Sequence, residues 1–91
     1  NPDKKIFSVY PNPTNGLVNI SYTNLDKSGD IKVFNQLGQL VKNSKLNHYL
    51  SETTLDLSSL VSGVYFIQIS SSDYNETLKV IKQYVPDHSL L

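Results

Sequence analysis

Two histidines, His48 and His88, are the only side chains of this 91-residue chain whose ordinary pKa lies near neutrality. Asp87-His88-Ser89 holds the three residue types of a hydrolase triad. Neighbours in sequence cannot adopt the mutual geometry of nucleophile, base and orienter, so the triplet carries no catalytic reading. A zinc site would need further ligands converging on a histidine; cysteine is absent and no suitable spacing occurs. Calcium would be sought in the polar stretches 24–30 and 70–75, yet neither follows the oxygen-ligand order of an EF-hand loop, and solvated turns account for both. The triplets Asn19-Ile20-Ser21 and Asn75-Glu76-Thr77 fit the glycosylation pattern, as chance allows in a chain so rich in Asn, Ser and Thr. No catalytic residue, metal or cofactor is expected. The more informative charges are Lys79 and Lys82, which bracket Val80 and Ile81. Lysines on an edge strand guard it against unwanted pairing. Alternatively, a partner reads that strand through backbone pairing and charge.

The elements that position these residues follow from composition. Alanine and arginine are missing, all eight basic residues are lysine, and eight acids bring the formal charge to zero. No basic field is available to attract nucleic acid, which is not expected as a partner. No apolar run approaches the roughly 20 residues of a transmembrane helix, and no charged start with an apolar core suggests a signal peptide. The length fits one domain. With β-branched residues and tyrosine abundant, strands are favoured over long helices.

Residues 1–5 read as the end of a linker. A first strand over Ile6 to Tyr10 stops at Tyr10-Pro11-Asn12-Pro13, because proline lacks a backbone donor and restricts its predecessor. Thr14-Asn15-Gly16 then makes a turn, with Gly16 free to take positive φ. Strands follow over Leu17 to Tyr22 and Asp30 to Asn35, the latter joined to Gln39–Asn43 by a tight reversal with Gly38 at a positive-φ position. Residues 44–52 show no period and are expected as a loop. A fifth strand covers Thr53 to Leu57, and a corner anchored by Leu60 leads into Ser62 to Ser70, the most buried strand expected. Tyr65, Ile67 and Ile69 share its core face. The seventh strand, Glu76 to Lys82, turns Leu78 and Val80 inward, with Lys79 and Ile81 on the opposite face. Residues 84–91 are expected to be a flexible tail, either genuine or added.

Seven short strands, with turn signals about every ten residues, predict an all-β fold: a seven-stranded antiparallel immunoglobulin-like β-sandwich over residues 6–83. Gly63, Tyr65 and Ile67 have the spacing of a tyrosine corner, which predicts a hydrogen bond from Tyr65 back to the corner containing Leu60. The plainer alternative is that Tyr65 is one core aromatic among six tyrosines.

Tyr10-Pro11-Asn12-Pro13, Gly16 opening a strand, Gly38 in a hairpin, Leu57-Ser58 with Leu60, Gly63-Val64-Tyr65, and Leu78-Lys79-Val80-Ile81-Lys82 together resemble the C-terminal sorting domain of type IX secretion cargo from Bacteroidetes. The resemblance covers Phe7 to about Gln83. It implies a non-catalytic signal domain, carried behind a covalently attached N-terminal passenger and recognised by the outer-membrane translocon after export to the periplasm. A sortase-like peptidase commonly removes such domains, leaving the passenger at the cell surface, on the outer membrane or in the medium. On this resemblance Lys79, Val80, Ile81 and Lys82 are the recognised signal, Pro11 to Pro13 a rigid turn, and Gly63 to Ile69 scaffold. The sequence is then expected to be a fragment of a larger precursor. An exposed last strand would also allow self-association between copies. The rival expectation is an immunoglobulin-like binding or accessory module of an exported glycan-active enzyme, with Tyr22, Tyr49, Tyr74 or Phe66 as a stacking platform.

Overall fold

The computed structural model describes residues 7–23 and 25–83. The expected linker over residues 1–5, Ile6 as strand start, Asn24 and the tail 84–91 with its Asp87-His88-Ser89 triplet lie outside the described residues. Seven strands form, and no helix among the described residues: β1 (Phe7–Tyr10), β2 (Leu17–Tyr22), β3 (Gly29–Phe34), β4 (Leu40–Leu46), β5 (Glu52–Asp56), β6 (Gly63–Ser70) and β7 (Asn75–Lys82). One sheet has the order β1-β2-β5 and the other β4-β3-β6-β7, and the ladders within each sheet are antiparallel.

Alternation decides which residues meet between the sheets. Val18, Ile20 and Tyr22 from β2, Ile31 and Val33 from β3, and Tyr65, Ile67 and Ile69 from β6 are all buried. Leu55, Leu57, Leu78 and Val80 join them, as expected from their strand parity. Fully burying a side chain such as Ile67 contributes about 1.5 to 3 kcal/mol. With β3 on one side and β7 on the other, β6 lies inside its sheet, so the stretch from Ser62 to Ser70 is as central as its composition predicts.

Three expectations are corrected. First, residues 44–46 are strand rather than loop: they pair with Gly29 to Ile31 in unbroken register, and a bulge between Val33 and Phe34 shifts the parity of β4 after Leu40 so that Leu46 faces the core. That shift is what hides the strand's period. Second, positive φ occurs at Gly38 (+83°) and Gly63 (+155°) but not at Gly16. Gly16 is constrained by close approach instead: a Cβ there would stand 3.0 Å from the Ser58 Cβ. Third, Leu60 packs against the core but stays half-buried.

The corner before β6 forms as predicted. The Tyr65 hydroxyl donates to the Val61 carbonyl at 2.5 Å, tying the strand to the turn that precedes it. At the other end of the molecule, Phe7 packs between Tyr22 and Tyr74, with ring centroids 6.1 and 5.3 Å away.

Candidate functional site

Along β7, the inward residues Leu78 and Val80 are buried, and Lys82 on the same face is only 7% exposed. A lysine tolerates this because its aliphatic stem can be covered while the ammonium reaches water, and no buried side-chain polar atom among the described residues lacks a partner. Lys79 and Ile81 point outward and are exposed. The predicted signal residues thus divide into two pairs. Val80 and Lys82 fasten the strand, and Lys79 and Ile81 present it.

One side of β7 pairs with β6 over its whole length. Its other side is met by the proline turn. Both Tyr10-Pro11 and Asn12-Pro13 are cis. The turn carries the chain from β1 in one sheet to the edge of β7 in the other. The Asn12 side chain donates to the Lys79 carbonyl at 3.0 Å and accepts the Ile81 N–H at 2.9 Å, imitating a strand neighbour. Thr14 continues the pairing: its N–H donates to the Ile81 carbonyl and its carbonyl accepts the Gln83 N–H, both at 2.8 Å, in a parallel bridge opposite Lys82. The buried Thr14 side chain donates to the Leu17 carbonyl at 2.6 Å and accepts the Gly16 N–H at 3.0 Å, which fixes this strap to the start of β2. The backbone edge over Lys79 to Gln83 is therefore closed by residues 12–14. Pro11 and Pro13 announce the turn in the sequence. Nothing local announces that Asn12 bonds a strand almost seventy positions later.

The remaining polar groups serve the turns. Asn35 Oδ1 accepts the N–H groups of Leu37 and Gln39, which shapes the hairpin around Gly38. Ser28 Oγ lies 2.8 Å from His48 Nδ1 and accepts the His48 N–H, so His48 joins two loops and stacks on Tyr49. Ser28 was not singled out by its sequence context. Among the described residues, no group of three or more His, Cys, Asp or Glu is placed to hold a metal ion.

Electrostatic shifts are confined to exposed pairs. The hydrogen bond and charge of Lys45 hold the Asp30 carboxyl below its usual range. The Ser58 hydroxyl and N–H do the same for Asp56. Hydrogen bonding to Glu52 raises the Tyr10 phenol.

The aromatic platform needs correction as well. Tyr22 is 2% exposed and its hydroxyl is bonded to the Asn47 carbonyl and the Thr53 hydroxyl. Tyr74 is half-buried and donates to the Lys27 carbonyl. Phe66 is half-buried on β6, and of the four rings only Tyr49 is widely exposed. These rings do not form one open stacking surface.

The described residues form a two-sheet β domain whose last strand is strapped along its free edge and exposes Lys79 and Ile81. Residues 8–83 match the model of the secretion system C-terminal sorting domain, and the chain belongs to this family of type IX secretion sorting domains. No curated protein matches it. The family is non-catalytic in general. Membership implies attachment to a passenger protein, interaction with the type IX secretion machinery, and export to the outer membrane or cell surface.

Proposed function

We propose that this domain is a non-catalytic C-terminal signal that directs its passenger from the periplasm through the type IX outer-membrane translocon, and that a sortase-like peptidase then removes it. The observation that carries the proposal is coincidence of extent: the family match over residues 8–83 agrees with the folded unit from Phe7 to Lys82 to within one residue at each end. An immunoglobulin-like arrangement is supported by the order β1-β2-β5 against β4-β3-β6-β7 and by the Tyr65 corner. Within β7, Lys79 and Ile81 make the contact, while Val80 and Lys82 hold the strand in place.

The test places an exported reporter ahead of the chain in a bacterium with this secretion system and follows the reporter by cell fractionation. The reporter is expected at the surface or in the medium. Retention in the periplasm, while an established sorting domain exports the same reporter, would overturn the proposal.

A further inference from the structure

The outward face of the four-stranded sheet carries an apolar band that folding does not require. The register sets Leu40, Phe34 and Phe66 side by side across β4, β3 and β6, with Lys79 of β7 next in the row. Val64 and Ile81 form the adjoining pair. Leu40 is 49% and Ile81 39% exposed, and the two phenylalanines between them are half-buried. Beside this band, exposed Leu37 and Val61 line a shallow cleft of about 200 Å³ that reaches Val64. Contiguous apolar surface of this kind on a small domain marks a place where another surface sits.

Charge narrows the occupant. Lys32 and Lys79 lie on the same face, opposite Gln68 and Phe66 in the register, and neither forms an ion pair among the described residues. The single acid of this face on β3, Asp30, is already held by Lys45. A cationic margin around an apolar centre complements a protein surface with an apolar ridge flanked by carboxylates.

We infer that this face, centred on Phe66, is the docking surface for such a partner, a protein component of the secretion machinery. The inference rests on the sorting-domain proposal and adds to it which of the two sheets is read. With the β7 backbone edge strapped over Lys79 to Gln83, docking proceeds through side chains.

The test uses the reporter followed by all 91 residues, with a photo-crosslinking phenylalanine analogue at Leu40 or Ile81 on this face, or at Thr54 on the opposite sheet. Adducts with a secretion component are expected from Leu40 and Ile81 and not from Thr54. Adding Lys32→Glu and Lys79→Glu is expected to lower their yield roughly tenfold, since like charges would now oppose the partner's carboxylates. Circular dichroism melts confirm that each variant is folded, and the two probe positions guard against one that is not. Wild-type reporter held in the periplasm would refute the sorting proposal itself. Export without Leu40 or Ile81 adducts, with equal adducts from Thr54, or with adducts only to lipid or to a second copy of the chain, would overturn the docking inference alone.

Discussion

The two sheets turn similar faces inward and different faces outward. On the three-stranded sheet Leu17 is outward and exposed at the start of β2, but the other outward residues pair with one another: Ser8 bonds Ser21 at 2.6 Å, Thr54 donates to Asn19 at 2.9 Å, and Tyr10 donates to Glu52. Outward residues on the four-stranded sheet include Phe34, Leu40, Phe66 and Ile81, with Lys32 and Lys79 among them. Folding demands apolar residues on the inward rows of both sheets, and it is indifferent to an apolar outward row. Under the docking inference, such a row exists to meet a second surface. The polar sheet is the built-in control.

The core is common to both faces, so damaging it should abolish the difference. Ile67→Ala removes a fully buried side chain from β6 and should cost about 2 to 5 kcal/mol in urea unfolding, with export lost together with the fold. A midpoint close to wild type would show that the sheets do not share this packing. Asn12→Ala affects only the four-stranded side, removing two hydrogen bonds from the edge of β7 at a cost of about 1 to 3 kcal/mol. Amide exchange should quicken at Ile81 and stay unchanged at Ile20 of β2. Equal acceleration at both sites would mean that the strap stabilises the whole sandwich.

Tyr65→Phe deletes the hydroxyl bonded to Val61 and should cost about 0.5 to 1.5 kcal/mol, read as a lower denaturant midpoint with export preserved. The smallest effect is on pH dependence. Asp30 and Asp56 have lowered pKa values in the folded state, so their contribution is present above the ordinary aspartate range and is lost as pH falls through the lowered values. Asp30→Asn should flatten the acid limb of thermal stability by removing the pairing with Lys45. Asp56→Asn tests the polar sheet in the same way, through Ser58. If neither substitution changes the acid limb, these pairs contribute nothing to stability.

Strand parity made most of the fold legible, since Ile20, Val33, Ile67, Leu78 and Val80 all lie on the faces their spacing assigns. The Tyr65 corner was legible because its partner is only four residues away. The end of β4 was not, because the bulge breaks the alternation that identifies strands. Gly29 gave no local sign of its constraint: a Cβ there would come within 2.4 Å of the Ser70 carbonyl oxygen, a contact created by the sheet. The same applies to the candidate site. Lys79 to Lys82 could be singled out by residue type, and strand parity alone put Val80 inward and Lys79 and Ile81 outward, but the burial of Lys82 and the closed edge depend on the sheet and on Asn12 and Thr14.

The most direct measurement compares export of one reporter behind two charge-altered domains of matched thermal stability. In one, Ser8→Lys and Thr54→Lys alter the polar sheet; in the other, Lys79→Glu and Ile81→Glu alter the apolar face. Export at the wild-type level for the first and periplasmic retention for the second is the predicted result. Equal export by both, or retention of the first alone, would contradict the claim that the passenger is sorted through the outward face of the four-stranded sheet.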